Sequence, residues 1–266
     1  MNQKLWYKKP ASDWNEALPI GNGRLGGMVY GNVKTENIQL NEDSIWYGDP
    51  IDRNNPDALI YLPEIRKLLS EGKISEAEKL AALALSGVPE SQRPYQTMGN
   101  LFLHFEIDES EISDYSRELD IEKACVSVKF AQRGVKYTRE YFSSAADQVI
   151  IVRLSADVPG KISFTANMRR GRFLDKCSRI DNKTIGMYAS CGTHKGIRFC
   201  TMVRADSEGG KVRTIGENLI VEKADAVTLF ISAATSFYHD DYEAQCLKYL
   251  ESAQLKDYSR LIFDHI

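Results

Sequence analysis

Three carboxylates near the amino terminus, Glu16, Glu42 and Asp43, sit among amides and indoles in a glycine-rich stretch that runs from Trp14 to Trp46. Two carboxyl groups held about 5 to 10 Å apart can serve as acid and base, or acid and nucleophile, on a glycosidic bond. Trp14 and Trp46 could stack on a sugar face, with the amides of Asn22 and Asn41 close by. The same residues also support a structural reading. Arg24 would then pair with one acid, Asn22 and Asn41 would cap turns, and both tryptophans would belong to a core or an interface. Residue types alone leave both readings open.

Other chemistries find less to build on. Gly21-x-Gly23-x-x-Gly26 formally matches a dinucleotide-binding fingerprint, which needs a strand before it and a helix after it. The sequence suggests neither, and instead Gly26 to Tyr30 pairs naturally with Asn37 to Asn41 as a hairpin. His104, His194, His239 and His265 are isolated, with no H-x-x-x-H pair, no G-x-S-x-G elbow and no Walker loop. Cys125, Cys177, Cys191, Cys200 and Cys246 are odd in number and lack C-x-x-C spacing. They read as idle thiols in a reducing compartment, with no disulfide framework, no metal site and no cofactor. The sequon Asn182-Lys183-Thr184 would matter only in a secreted chain.

The elements that must position these residues are mainly β. Alternating apolar runs at Leu101–Ile107, Ser116–Glu122, Cys125–Phe130, Val135–Phe142, Gln148–Ser155 and Lys161–Met168 predict strands. So do Thr184–Ser190, Ile197–Ala205, Leu219–Glu222 and Ala226–Ala233. Their spacing, with turns at Arg133-Gly134, Pro159-Gly160 and Gly209-Gly210, predicts a large antiparallel β-sandwich, a supersandwich. A helical insertion is expected at about 55–87: Asn54 to Asp57 opens one helix, and an Ala-rich second helix over Ser75–Leu85 ends near Gly87 and Pro89. Residues 1–240 would form the sandwich and 241–266 a helical linker that stops without a capping signal, as if the chain continued. The basic run between Arg169 and Arg198 reads as a solvated loop or an interdomain edge, with a grip for a sugar acid or phosphate as the other possibility.

The 266 residues carry 34 Lys and Arg against 37 Asp and Glu, too even a balance for nucleic-acid binding or a basic membrane anchor. No apolar run is long enough for a membrane span, and the start of the chain lacks a secretory signal, so a cytoplasmic location is expected, with an extracellular one left open.

The run Trp14-x-Glu16-Ala-Leu-Pro-Ile-Gly21-Asn22-Gly23-Arg24-Leu-Gly26, followed by Ile38-Gln-Leu-Asn41-Glu42-Asp43-Ser-Ile-Trp46-x-Gly48, resembles the N-terminal domain of the glycoside hydrolase family 95 α-L-fucosidases. Arg93-Pro-Tyr95-Gln-Thr97-Met98-Gly-Asn100-Leu101 is similar to a third motif of that family, with Thr97, Met98 and Asn100 departing from it. The resemblance covers essentially the whole chain. It implies a multidomain inverting enzyme that removes terminal α-L-fucose, commonly α-1,2-linked, from oligosaccharides, with α-L-galactose preferred by a minority. It also implies that an (α/α)6 barrel of the same polypeptide carries the catalytic residues, none of which has a match here. This chain alone would then be inactive, and Trp14, Glu16, Asn22, Arg24, Asn41, Glu42, Asp43 and Trp46 would face that barrel near its substrate mouth. The alternative is a free-standing carbohydrate-binding sandwich in which the tryptophans and nearby amides bind sugar without a barrel.

Overall fold

The computed structural model describes residues 3–192 and 195–266; His194 lies outside the described residues. The chain begins with β1 (Lys4–Tyr7), β2 (Leu18–Gly21), β3 (Leu25–Val29), β4 (Thr35–Glu42), α1 (Ala58–Ser70), α2 (Ile74–Ala84) and β5 (Gly99–His104). It continues through β6 (Ile112–Asp120), β7 (Cys125–Gln132), β8 (Val135–Ser144), β9 (Val149–Ala156), β10 (Ile162–Arg169), β11 (Leu174–Asp181) and β12 (Thr184–Ser190). Then come β13 (Arg198–Glu208), β14 (Lys211–Ile215), β15 (Asn218–Ala224), β16 (Ala226–Thr235), α3 (Tyr242–Gln254) and α4 (Tyr258–His265).

The strands form two antiparallel sheets, the sandwich that the alternation predicts. One has nine strands in the order β1-β6-β7-β8-β9-β16-β13-β12-β11, the other seven in the order β14-β15-β10-β5-β4-β3-β2. Their facing sides enclose the main core, which includes Ile38, Leu40, Leu101, Val128, Tyr141, Val152 and Leu229. The outer face of the nine-stranded sheet is covered by α3 and α4, where Phe142, Ile151, Met202 and Phe230 meet Cys246, Leu250, Ala253 and Leu261. That double covering explains β16. Its ten residues are all buried, so it reads as one continuous apolar run instead of alternating.

Several details differ from expectation. A strand, β2, does precede the clustered glycines; a second strand follows them instead of a helix, with Gly26 opposite Asn41 and Val29 opposite Ile38. The basic stretch after Arg169 is no loop, because β11 pairs with β12 along the sheet edge. As an edge strand, β11 has no buried face and so no apolar period to betray it. The short strands β1 and β14 escape for the same reason. The terminal helical stretch is two helices: the Asp257 carboxylate accepts from the Arg260 N–H at 2.7 Å and opens α4. Lys256 ties the corner between them, 2.5 Å from Asp147 and 2.8 Å from Asp264. α1 and α2 pack on each other through Ile65, Ala77 and Ala84 and leave Leu59, Ile60 and Leu83 more than two-thirds exposed.

Between the sheets lies a buried polar knot. The Glu36 carboxylate accepts from the backbone N–H of Gly31 at 2.8 Å and of Asn37 at 3.0 Å, and from the Tyr141 hydroxyl at 2.7 Å. The φ of +76° at Gly31 suits glycine, and a Cβ there would come within 2.6 Å of Arg117. Burial pushes the Glu36 carboxyl above its ordinary value of 4.5, and this outweighs the opposing pull of Arg139 and the hydrogen bonds. The folded chain therefore holds this proton at a pH where the unfolded chain has released it, so stability falls as pH rises from 4.5 through the raised value. Urea midpoints measured from about pH 4.5 to pH 8 should show that fall, and Glu36→Gln should flatten it. Parallel pH profiles for the two proteins would reject this assignment.

Candidate functional site

The structure sorts the eight sequence-derived residues into two places. Trp14 and Glu16 form a single 3-10 turn ahead of β2, where Trp14 is half exposed. The Glu16 carboxylate accepts from Ser12 N–H at 2.8 Å and Ser12 Oγ at 2.9 Å, and these bonds hold it below the usual carboxylate value. Leu18, two residues on, lies opposite Val29, which lies opposite Ile38, whereas Leu25 lies opposite Glu42. At about 3.4 Å per residue, Ile38 and Glu42 are roughly 13 Å apart along β4, and Glu16 lies beyond Ile38. Glu16 therefore cannot form an acid and base pair with Glu42 or Asp43.

The other six gather at the opposite strand ends. Asn22 closes the β2–β3 turn: its Oδ1 accepts from the N–H groups of Arg24 at 3.0 Å and Leu25 at 2.7 Å, and its Nδ2 donates to Ser144 O. Arg24 then spans both sheets, donating from Nε to Gln148 Oε1 and from Nη1 to Ala233 O, both at 2.8 Å. Its guanidinium lies 5.2 Å from the ring centroid of Tyr249 on α3 and 3.6 Å from Glu42 Oε1. Glu42 is fully buried, and its Oε2 accepts from Ser44 N–H and Ser44 Oγ, while Ser44 Oγ touches Thr235 Oγ1 at 2.7 Å. Burial raises the Glu42 carboxyl above its ordinary value. Arg24 pairs with an acid and Asn22 caps a turn, as the structural reading has it. Asn41 does not cap a turn; it lies within β4 beside the Tyr95 hydroxyl, 3.2 Å away.

What remains free at this end is a ring of aromatics around one carboxylate. Trp46 and Tyr95 meet edge to face with centroids 5.6 Å apart, and the Trp46 indole N–H donates to Asp43 O at 3.2 Å. Burial pushes the Tyr95 hydroxyl up to about 12. The Tyr238 hydroxyl donates to Asp43 Oδ2 at 3.0 Å, and Phe237 packs edge-on against Tyr238. Trp46, Tyr95, Phe237 and Tyr238 are all more than a third exposed, so neither Trp14 nor Trp46 is a core residue. Asp43, Trp46, Tyr238 and the guanidinium-bearing Arg53 and Arg93 line a cleft of about 500 Å³. Its size and apolar lining suit a small organic ligand.

Two carboxylates line the cleft, the exposed Asp43 and the half-buried Asp49, whereas Glu42 is locked in internal bonds. The aromatic lining suits binding or docking, and Glu16 is too far from Glu42 and Asp43 to complete an acid and base pair with either. Phe237 and Tyr238 went unrecognised in the sequence. They lie some 195 positions from Asp43, and only their place directly after the β16 run could have marked them. Among the described residues no cluster of three or more His, Cys, Asp or Glu could hold a metal ion. No helix among them is long and apolar enough to cross a membrane.

By family, this two-sheet sandwich with helices against one face is the N-terminal domain of a glycoside hydrolase. The chain belongs to the family described as "Glycosyl hydrolase family 65, N-terminal domain", whose model matches residues 5–240. It is 33% identical over 296 aligned residues to "Alpha-L-fucosidase 2" of Arabidopsis thaliana, covering 99% of this chain and 35% of that protein. To "Probable alpha-fucosidase A" of Aspergillus oryzae it is 26% identical, covering 88% of this chain and 33% of that protein. The solved "Putative kojibiose phosphorylase from human microbiome" shares the fold at a TM-score of 0.59 and 9% identity, over 100% of this chain and 37% of that one. The chain thus spans about a third of the length of the curated relatives it matches.

Proposed function

We propose that this domain belongs to an inverting α-L-fucosidase of the family 95 type and borders the substrate entrance of an (α/α)6 catalytic barrel in the same polypeptide. The barrel would carry the acid and base, and terminal α-1,2-linked fucose on an oligosaccharide would be the substrate. The observation that carries this reading is the division of labour at the strand ends. Arg24, Asn22 and Glu42 are used up internally, and they hold Asp43, Trp46, Phe237 and Tyr238 outward around the cleft. The fucosidase names of the two relatives, and the two-thirds of their length beyond this chain's span, support it. So do the exposed apolar residues Leu59, Ile60 and Leu83 at the base of the helical hairpin, which a neighbouring domain would cover.

Release of fucose from an α-1,2-fucosylated oligosaccharide should be measured with the full-length gene product and with this chain alone. Activity in the long protein only is expected; turnover by the short chain would overturn the proposal. In the long protein, Trp46→Ala should raise KM roughly tenfold, the loss of about one aromatic contact, with little change in melting temperature. Unchanged KM would take the cleft away from the substrate path. The rival reading, a self-sufficient carbohydrate-binding module, is favoured by the same exposed aromatics. Millimolar or tighter binding of that oligosaccharide by the isolated chain, abolished by Trp46→Ala, would favour it instead.

A further inference from the structure

Cys200 on β13 and Cys246 on α3 lie wholly buried with their Sγ atoms 2.9 Å apart, although 46 residues separate them in the chain. That is within about 1 Å of the roughly 2.05 Å length of a disulfide, and closer than unbonded thiols need to sit in a packed core. The surroundings fix the approach from both sides. Cys200 Sγ faces the Tyr242 carbonyl at 3.5 Å and Cys246 Sγ faces the Cys200 carbonyl at 3.4 Å. Ser232 Oγ on β16 donates to the Cys246 carbonyl at 3.1 Å, which seats this turn of α3 on the sheet. The other three cysteines lie elsewhere: Cys125 on β7, Cys177 on β11, and Cys191 just beyond β12.

We infer that Cys200 and Cys246 form a disulfide-bonding pair that staples α3 to the nine-stranded sheet when the protein meets a low-molecular-weight disulfide such as oxidised glutathione. One cysteine thiolate attacks the small disulfide, forming a mixed disulfide and expelling one small thiolate. The second cysteine thiolate then attacks the protein sulfur of that intermediate and expels the other small thiolate. The two protons lost by the cysteines go to the two leaving thiolates, so two protein thiols and one disulfide become one protein disulfide and two small thiols. Because both sulfurs are buried, the exchange proceeds when α3 lifts from the sheet, and the bond then blocks that opening. Tyr249, one turn further along α3, stacks on Arg24, so the staple also steadies the helix behind the Asp43 cleft.

The test treats the protein with oxidised glutathione in a low concentration of urea that loosens α3. The urea is removed, the protein is then unfolded with a maleimide, and labels are counted by intact mass and peptide mapping. Three labels, on Cys125, Cys177 and Cys191, are expected after oxidation, and five after prior reduction. Oxidation should also raise the melting temperature by about 4 °C or more, a shift absent in Cys246→Ser. Five labels after oxidation, a cross-link through any other cysteine, or glutathione adducts without the internal link would each overturn the inference. The label count on the unmutated chain decides the matter even if Cys246→Ser folds poorly.

Discussion

Replacing Arg139 by alanine should lower the unfolding free energy by about 3–5 kcal/mol, because it leaves the carboxylate of Glu36 buried without its cation. Arg139 is 2% exposed, and its Nη1 and Nη2 donate to the carbonyls of Asn32 and Val33, each at 2.7 Å. Its guanidinium lies 4.0 Å from the Phe105 centroid, 5.1 Å from that of Phe130, and 3.7 Å from Glu36 Oε2. The substitution thus removes two hydrogen bonds that hold the β3–β4 connection, two cation–π contacts and an ion pair together. At about 2–4 °C per kcal/mol, calorimetry should record a melting temperature lower by roughly 10 °C. The double variant Arg139→Met with Glu36→Gln should recover much of the loss, since no buried charge then lacks a partner. A drop below about 1 kcal/mol in the single variant would show that water reaches this knot.

Arg24→Ala should cost about 3 kcal/mol or more by the same logic, at a place that also touches function. The side chain joins Gln148 on the turn before β9, Ala233 on β16 and Tyr249 on α3 to the glycine-rich hairpin. Its loss strands Glu42, whose Oε1 has no hydrogen-bond partner and lies 3.6 Å from the guanidinium. Arg24→Lys should recover only part of the stability, because an ammonium supplies charge without the planar fork that reaches two strands. A double-mutant cycle with Glu42→Gln should show a coupling energy of about 1 kcal/mol or more. In the full-length protein, Arg24→Ala should raise KM as Asp43 and Trp46 lose their footing. Unchanged melting and unchanged kinetics together would separate Arg24 from both roles.

The sandwich was legible in the sequence because most strands have one face in the core and one outside it, and that geometry writes a period of two into residue type. The β3–β4 hairpin was legible from the glycines, whose missing side chains suit close strands and not a phosphate turn. The strands that left no trace were β1, β2, β11 and β14, which are the four edge strands of the two sheets; β1, β11 and β14 lack a continuous buried face, and β2 is only four residues long. The break between α3 and α4 was marked only by Asp257, a cap in the midst of an otherwise helical period.

By itself the sequence determined the class of fold, the helical insertion and the family likeness. Those properties are written by neighbours within one or two turns or strands. Tertiary structure alone decided which of the eight residues belong together. Strand register carried Trp14 and Glu16 to one end of β4 and Glu42 and Asp43 to the other. It also delivered Gln148, Ala233, Phe237 and Tyr238, between 124 and 209 positions away from their partners, to Arg24 and Asp43. Pairing between distant strands is set by how the whole core packs, and no local window of residues holds that information.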